Sequence, residues 1–115
     1  MIAVIFEALP AEGKWEDYIG TASALRPALE RIEGFISVER FQSLSHPEKV
    51  LSLSFWKDEA SVHQWRNTVM HRMAQKAGRE SIFSDYRIRV AAVVSDYGLA
   101  DREEAPEDSK NIHHL

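Results

Sequence analysis

An α+β fold is predicted for this chain: a four-stranded antiparallel sheet and two helices, in the order β-α-β-β-α-β. Three observations predict it. Four runs are rich in apolar, branched and aromatic residues and are bounded by turn residues, as strands are. Two longer stretches repeat their apolar residues at helical spacing. The 115 residues, 44% of them hydrophobic, suffice for one core and leave no room for a second domain.

Residues 2–9 are apolar except for Glu7, and Pro10 and Gly13 follow, which reads as a strand buried on both faces and then a turn. Trp15, Tyr18, Ile19, Ala22, Leu25, Leu29 and Ile32 mark one face of a first helix that ends at Gly34. Pro27 lies inside it, and an interior proline costs about 3 kcal/mol through a lost hydrogen bond and a clash, so a kink or restart is expected near Arg26. Residues 35–44 and 50–56 form a hairpin about the turn Ser45-His46-Pro47-Glu48. In its second arm Leu51, Leu53 and Phe55 share one face. Ser52, Ser54 and Trp56 share the other, and the serines suggest a partly polar, half-buried surface. Asp58 or a neighbour caps a second helix running toward Gly78, with Val62, Trp65, Val69 and Met73 on one side. Asn67-Thr68 is its weakest stretch, where Thr68 can cap a restarted segment. Residues 86–97, rich in valine and isoleucine with Arg87 and Arg89 alternating, read as the last strand. This is the element order of the ferredoxin-like fold, with both helices on one face of the sheet. The first and last strands carry apolar residues on the other face too, so a second copy of the chain is expected to cover it as a homodimer.

The domain is expected to span residues 1–98. Residues 99–115 lack periodicity and carry Asp101, Glu103, Glu104, Glu107 and Asp108 against Arg102 and Lys110, an acidic and loose tail holding most of the net charge of -4. The nearly neutral body offers no field for phosphates, which argues against nucleic acid. The absence of cysteine excludes disulfide scaffolds, iron–sulfur clusters, thiolate metal sites and cysteine nucleophiles. The longest wholly apolar run, Met1 to Phe6, is far short of the roughly 18 residues of a spanning helix, and no basic segment precedes it. A cytoplasmic protein without a membrane partner is expected.

Gly13, Gly20, Gly34, Gly78 and Gly98 stand too far apart for a phosphate loop, and there is neither a nucleophile elbow nor a His-Glu-x-x-His run. Glu59, His63 and His71 share the second helix. The two histidines lie about 80° apart around it and about 12 Å apart along it, so no metal site is expected. An RNA-stacking strand at Gly34–Phe41 fails on residue type, with Glu33 in a basic position and Ser37 in an aromatic one. Trp15 and Trp56 read as core, and Trp65, on the inner face of the second helix, reads as packing on pattern alone. In an unbroken helix His71 points away from the Trp65-Val69-Met73 stripe; a restart at Thr68 would turn it toward a cavity. Glu7, alone among apolar neighbours, must be paired, neutralised, functional or exposed at an edge. Arg79 reads as a solvated cation on the helix end.

Taken together, Glu33-Gly34-Phe35, Trp56, Trp65 with His71 six residues on, Gln75, Gly78-Arg79 and Asp85-Tyr86 resemble the antibiotic biosynthesis monooxygenase family over residues 1–98. The resemblance implies a dimeric ferredoxin-like α/β barrel. It also implies a cofactor-independent monooxygenase that puts oxygen from O2 into a small electron-rich aromatic, such as a phenol, quinol or anthrone, without metal, flavin or haem. The deprotonated substrate supplies the electrons, so the protein needs an apolar pocket, a base and a donor for developing charge. That pocket is implied to lie between the second helix and the sheet, with Trp65, His71 and Arg79 as catalytic candidates. Trp65 would bound the ring, His71 would act as base or relay, and Arg79 would stabilise charge. Glu7, Trp56 and Tyr86 are the substrate-binding candidates, with Glu7 a second candidate base and Tyr86 a donor. A haem-degrading branch of the superfamily matches only in part. Trp65 fits it, but Glu7 stands in place of its asparagine and Gln75 in place of its ligand histidine, so haem is not expected. The alternative reading on the same scaffold is a non-catalytic small-ligand-binding or stress-response module.

Overall fold

The computed structural model describes residues 1–77 and 82–107, and the side chains of its second helix as far as Thr68. Its elements are β1 (Ile2–Pro10), α1 (Trp15–Glu30), β2 (Phe35–Gln42), β3 (Val50–Trp56), α2 (Glu59–Ala77) and β4 (Phe83–Ala92). The sheet order is β2-β3-β1-β4 with every neighbouring pair antiparallel, the ferredoxin-like arrangement.

β1 is central and alternates. Val4, Phe6 and Ala8 are buried, whereas Ile5, Glu7 and Leu9 on the opposite face are half-buried. The expectation of a strand covered on both faces is therefore corrected within one chain. Val4 packs with Leu25 and Leu29 of α1 and with Val62 of α2, so both helices lie on one side. β4 runs from Phe83 to Ala92, where residues 86–97 are expected from composition. The ladder sets these bounds: Pro10 pairs with Phe83, Ile2 pairs with Ala92, and the Val93 N–H donates to the Met1 carbonyl just past the last pair.

Pro27 does not interrupt α1. It sits in the last turn, and the bond it cannot donate belongs to Ser23, which is exposed, so water can satisfy that carbonyl. α1 ends in a tight turn at Gly34, whose φ of +95° favours glycine; a Cβ there would fall on the Ser61 hydroxyl. α2 starts as expected, with Asp58 Oδ1 accepting the Ser61 N–H at 2.9 Å. It then continues unbroken to Ala77. Thr68 does not cap a restart; its hydroxyl donates to the Gln64 carbonyl one turn back, at 3.2 Å, which leaves the ladder intact.

The core forms two clusters. One gathers Val4, Leu25, Leu29, Ile32, Val38, Trp56 and Val62; the other gathers Phe6, Ala8, Tyr18, Val50 and Ile82. In β3 the buried positions are Val50, Ser52, Ser54 and Trp56, so the serine face is the one under the helices, and Leu51, Leu53 and Phe55 lie on the open face. The serine face is thus buried rather than half-buried. Its large residues stand at the two ends and its small ones in the middle, which leaves the two clusters parted at a waist.

After β4, the Gly98 N–H donates to the Asp101 carbonyl, the Arg102 guanidinium donates to the Gly98 carbonyl at 3.1 Å, and Ala105 is buried. No helix among the described residues is long and apolar enough to cross a membrane.

Candidate functional site

The waist of the core is a cavity. Its floor is a row across the sheet fixed by strand register, Arg40 on β2, Ser52 on β3, Phe6 on β1 and Ile88 on β4. Val38 and Ser54 extend the floor, Tyr18, Ala22, Leu25 and Leu29 of α1 form the roof, and Trp65 of α2 closes one side. The volume is about 40 Å³, room for roughly three waters. The cavity exists because residues with short side chains occupy the centre of β3, between Val50 and Trp56.

The polar groups gather in one corner. The Arg40 guanidinium lies close enough to the Tyr18 hydroxyl to act on it electrostatically, and Tyr18 is only 1% exposed. Burial pushes the Tyr18 phenol up, and the Arg40 cation partly opposes this, so the hydroxyl stays protonated at neutral pH. Arg40 Nε is buried without a hydrogen-bond partner. Ser54 Oγ accepts the Trp56 indole N–H at 2.9 Å, which leaves the serine's own proton to donate.

Trp65 and Ile88 also line an outer groove of about 320 Å³, shared with Glu59, Val62, His63, Arg66 and Val90. They are the partition between cavity and groove. The Trp65 ring lies 5.8 Å from Trp56, which in turn packs edge-on to Phe35 at 5.2 Å. Trp65, still partly exposed, can move only by leaving that aromatic stack.

The other candidates fall in different places. Trp56 is fully buried in the core behind Trp65 and is not in the cavity wall. Tyr86 packs against Phe6 and Phe83 with ring centroids 5.7 Å away in each case, and is half exposed. Glu7 lies on the open face of the sheet, opposite the cavity, where Arg89 Nη1 donates to Oε2 at 3.0 Å. That hydrogen bond, reinforced by Lys49 and Arg87, holds its carboxyl below the usual range, which makes it a weaker base. Glu7 and Tyr86 do border one surface depression of about 370 Å³, together with His46, Glu48, Lys49 and Arg87. The side chain of His71 and all of Arg79 lie outside the described residues. The restart that would turn His71 inward is absent, and six residues along an unbroken helix place its Cα about 120° around from that of Trp65. Among the described residues no three carboxylate or imidazole side chains cluster as metal ligands.

Tyr18, Arg40, Ser52 and Ser54 are absent from the sequence-based candidates. Their signal was the alternation that puts Val38 and Arg40 on one face of β2 and Ser52 and Ser54 on one face of β3, which assigns faces but not which face is covered.

Comparison with known proteins gives the site its context. The sequence profile of the family described as "Antibiotic biosynthesis monooxygenase" matches residues 1–77. A Pyricularia oryzae protein named "Jasmonate monooxygenase ABM" is 47% identical over 95 residues, covering 83% of this chain but 44% of its own length. The chain therefore spans less than half of that relative. A Shewanella oneidensis crystal structure shares the fold with a TM-score of 0.67 and 22% identity, covering 78% of this chain and 87% of its own. A Deinococcus radiodurans structure, solved as a candidate antibiotic biosynthesis monooxygenase, superimposes with a TM-score of 0.68 at 10% identity, covering 86% of this chain and 98% of its own.

Proposed function

We propose, for a chain that belongs to the antibiotic biosynthesis monooxygenase family, that the cavity between α1, α2 and the sheet, opened into the outer groove of about 320 Å³ by movement of the Trp65 and Ile88 partition, is the chamber of a monooxygenase working without bound metal, flavin or haem. The observation that carries this reading is the cavity itself, a largely apolar space with one donor-rich corner and an aromatic wall at Trp65. The substrate class is a small electron-rich molecule, a phenol, quinol or anthrone. For an anthrone the balance closes on the substrate alone: its CH2 and O2 become C=O and H2O, with both C–H bonds broken and the second oxygen atom leaving as water. The protein's part is to hold the ring, exclude water and accept the first proton. Trp65 would bound the ring, His71, about 120° round α2 from Trp65, would act as a proton relay rather than touch the ring, and Arg79 and Tyr86 would steady charge. Two copies would cover each other's open sheet faces, where Ile5, Leu53 and Phe55 lie half-buried.

An oxygen electrode tests the reading on chelator-dialysed protein, with anthrone, a substituted phenol and, because the Pyricularia oryzae relative is named for it, jasmonate. Oxygen uptake with at least one is expected, with a loss of about 100-fold in Trp65→Ala through misplacement and of about 100-fold in His71→Ala through loss of the proton relay. Retention of anthrone with no uptake would make the chain a binding protein instead. A tight 1:1 Soret complex that turns over would move it to haem chemistry.

A further inference from the structure

The polar corner of the cavity holds a cation with no carboxylate beside it among the described residues. Arg40 brings a positive charge to a cavity whose apolar lining includes Phe6, Ala22, Leu25, Leu29 and Ile88, and among the described residues no aspartate or glutamate lines that space. The groups beside it, the hydroxyls of Tyr18, Ser52 and Ser54, can all donate. Arg40 Nε is buried with no partner, and an unmade bond from a charged donor costs more than one from a neutral group. A corner built from donors around a cation is complementary to an anion.

We infer that Arg40 is a carboxylate-binding residue and that the chamber takes a small hydrophobic carboxylic acid, its acid group on Arg40 and its apolar body toward Trp65. The shape of a guanidinium selects among anions: its N–H groups form a rigid fork matched to the two oxygens of a carboxylate, whereas a phenolate or enolate has a single oxygen and leaves one donor bare. Tyr18 of α1 and Ser52, opposite Arg40 in the sheet register, line the same cavity beside the guanidinium. The inference rests on reading this cavity as the substrate chamber and narrows its substrate to molecules carrying an acid.

The test uses hexanoate and 1-hexanol as probes on the full chain, followed by calorimetry. Hexanoate is expected to bind the native protein about tenfold or more tightly than hexanol, the difference made by a charge-assisted bond. Arg40→Gln should remove that preference while leaving hexanol binding in place, and Arg40→Lys should restore only part of it, because an ammonium has no fork. A second measurement needs no variant: the carboxyl of bound [1-13C]hexanoate should titrate below its free value beside the cation. Equal binding of acid and alcohol, no binding of hexanoate, an unshifted carboxyl, or a preference that survives Arg40→Gln would each overturn the proposal. Oxygen uptake is read separately. Hexanoate selectivity without uptake on any substrate leaves the acid site standing and removes the oxygenase, and uptake on anthrone without hexanoate binding does the reverse.

Discussion

At the scale of single residues, Ser54 holds two properties of the site at once. Its small side chain leaves the cavity open, and its oxygen is the acceptor for the indole of Trp56, a residue with no exposed surface. Ser54→Ala keeps the space but strands a buried donor, so a loss of about 1–3 kcal/mol in unfolding free energy is expected by urea denaturation. A change within experimental error would mean that water replaces the hydroxyl. Arg40 and Tyr18 meet only because β2 and α1 bring them together, and neither looks unusual along the chain. Glu7 shows the converse: a lone acid in an apolar strand is conspicuous, and the structure answers it with Arg89 on the open face rather than with the cavity.

At the scale of elements, the junction of α1, β2 and α2 is tied by a few short contacts. The Ser61 hydroxyl lies 2.7 Å from both the Glu33 carbonyl and Asp58 Oδ1, one proton shared between two acceptors, and the Lys57 N–H donates to the Gly34 carbonyl at 2.7 Å. Gly34→Ala meets both a positive φ and the Ser61 side chain, so a destabilisation of about 1–3 kcal/mol is expected from denaturant midpoints, the backbone term alone accounting for about half. Asp58 predicts a pH effect. The bonds from the Ser61 hydroxyl and N–H hold its carboxyl below the usual range. A depressed folded pKa gives stability that is complete above the unfolded value, about 3.9, and is lost as pH falls through the lower folded value. Glu7 titrates in the same direction, so the comparison is with Asp58→Asn, which still caps a helix but cannot ionise. The native protein should lose stability relative to Asp58→Asn below about pH 4 and run parallel to it above about pH 5. Curves parallel throughout would remove the charge from the cap.

At the scale of the whole molecule, the open face of the sheet sets the expectation of assembly. Ile5, Leu53 and Phe55 lie there beside the Glu7–Arg89 pair, an apolar strip with a charged margin. Sedimentation should show a dimer at micromolar concentration and Leu53→Glu should shift it to monomer with its circular dichroism unchanged; a native monomer would end the proposal. The sequence by itself determined the order of strands and helices and the cap at Asp58, because periodicity and capping chemistry are set by residues within a few positions of one another. It marked Trp65 as facing inward for the same reason. Only the tertiary structure decided which face of β3 is roofed, where β4 stops, that α1 runs through Pro27 and α2 through Thr68, and that an arginine and a tyrosine from different elements share the corner of a cavity. Alternation divides a strand into two faces without saying which one meets a helix, and a contact between distant segments is settled by register and packing across the sheet, which no local window of sequence contains.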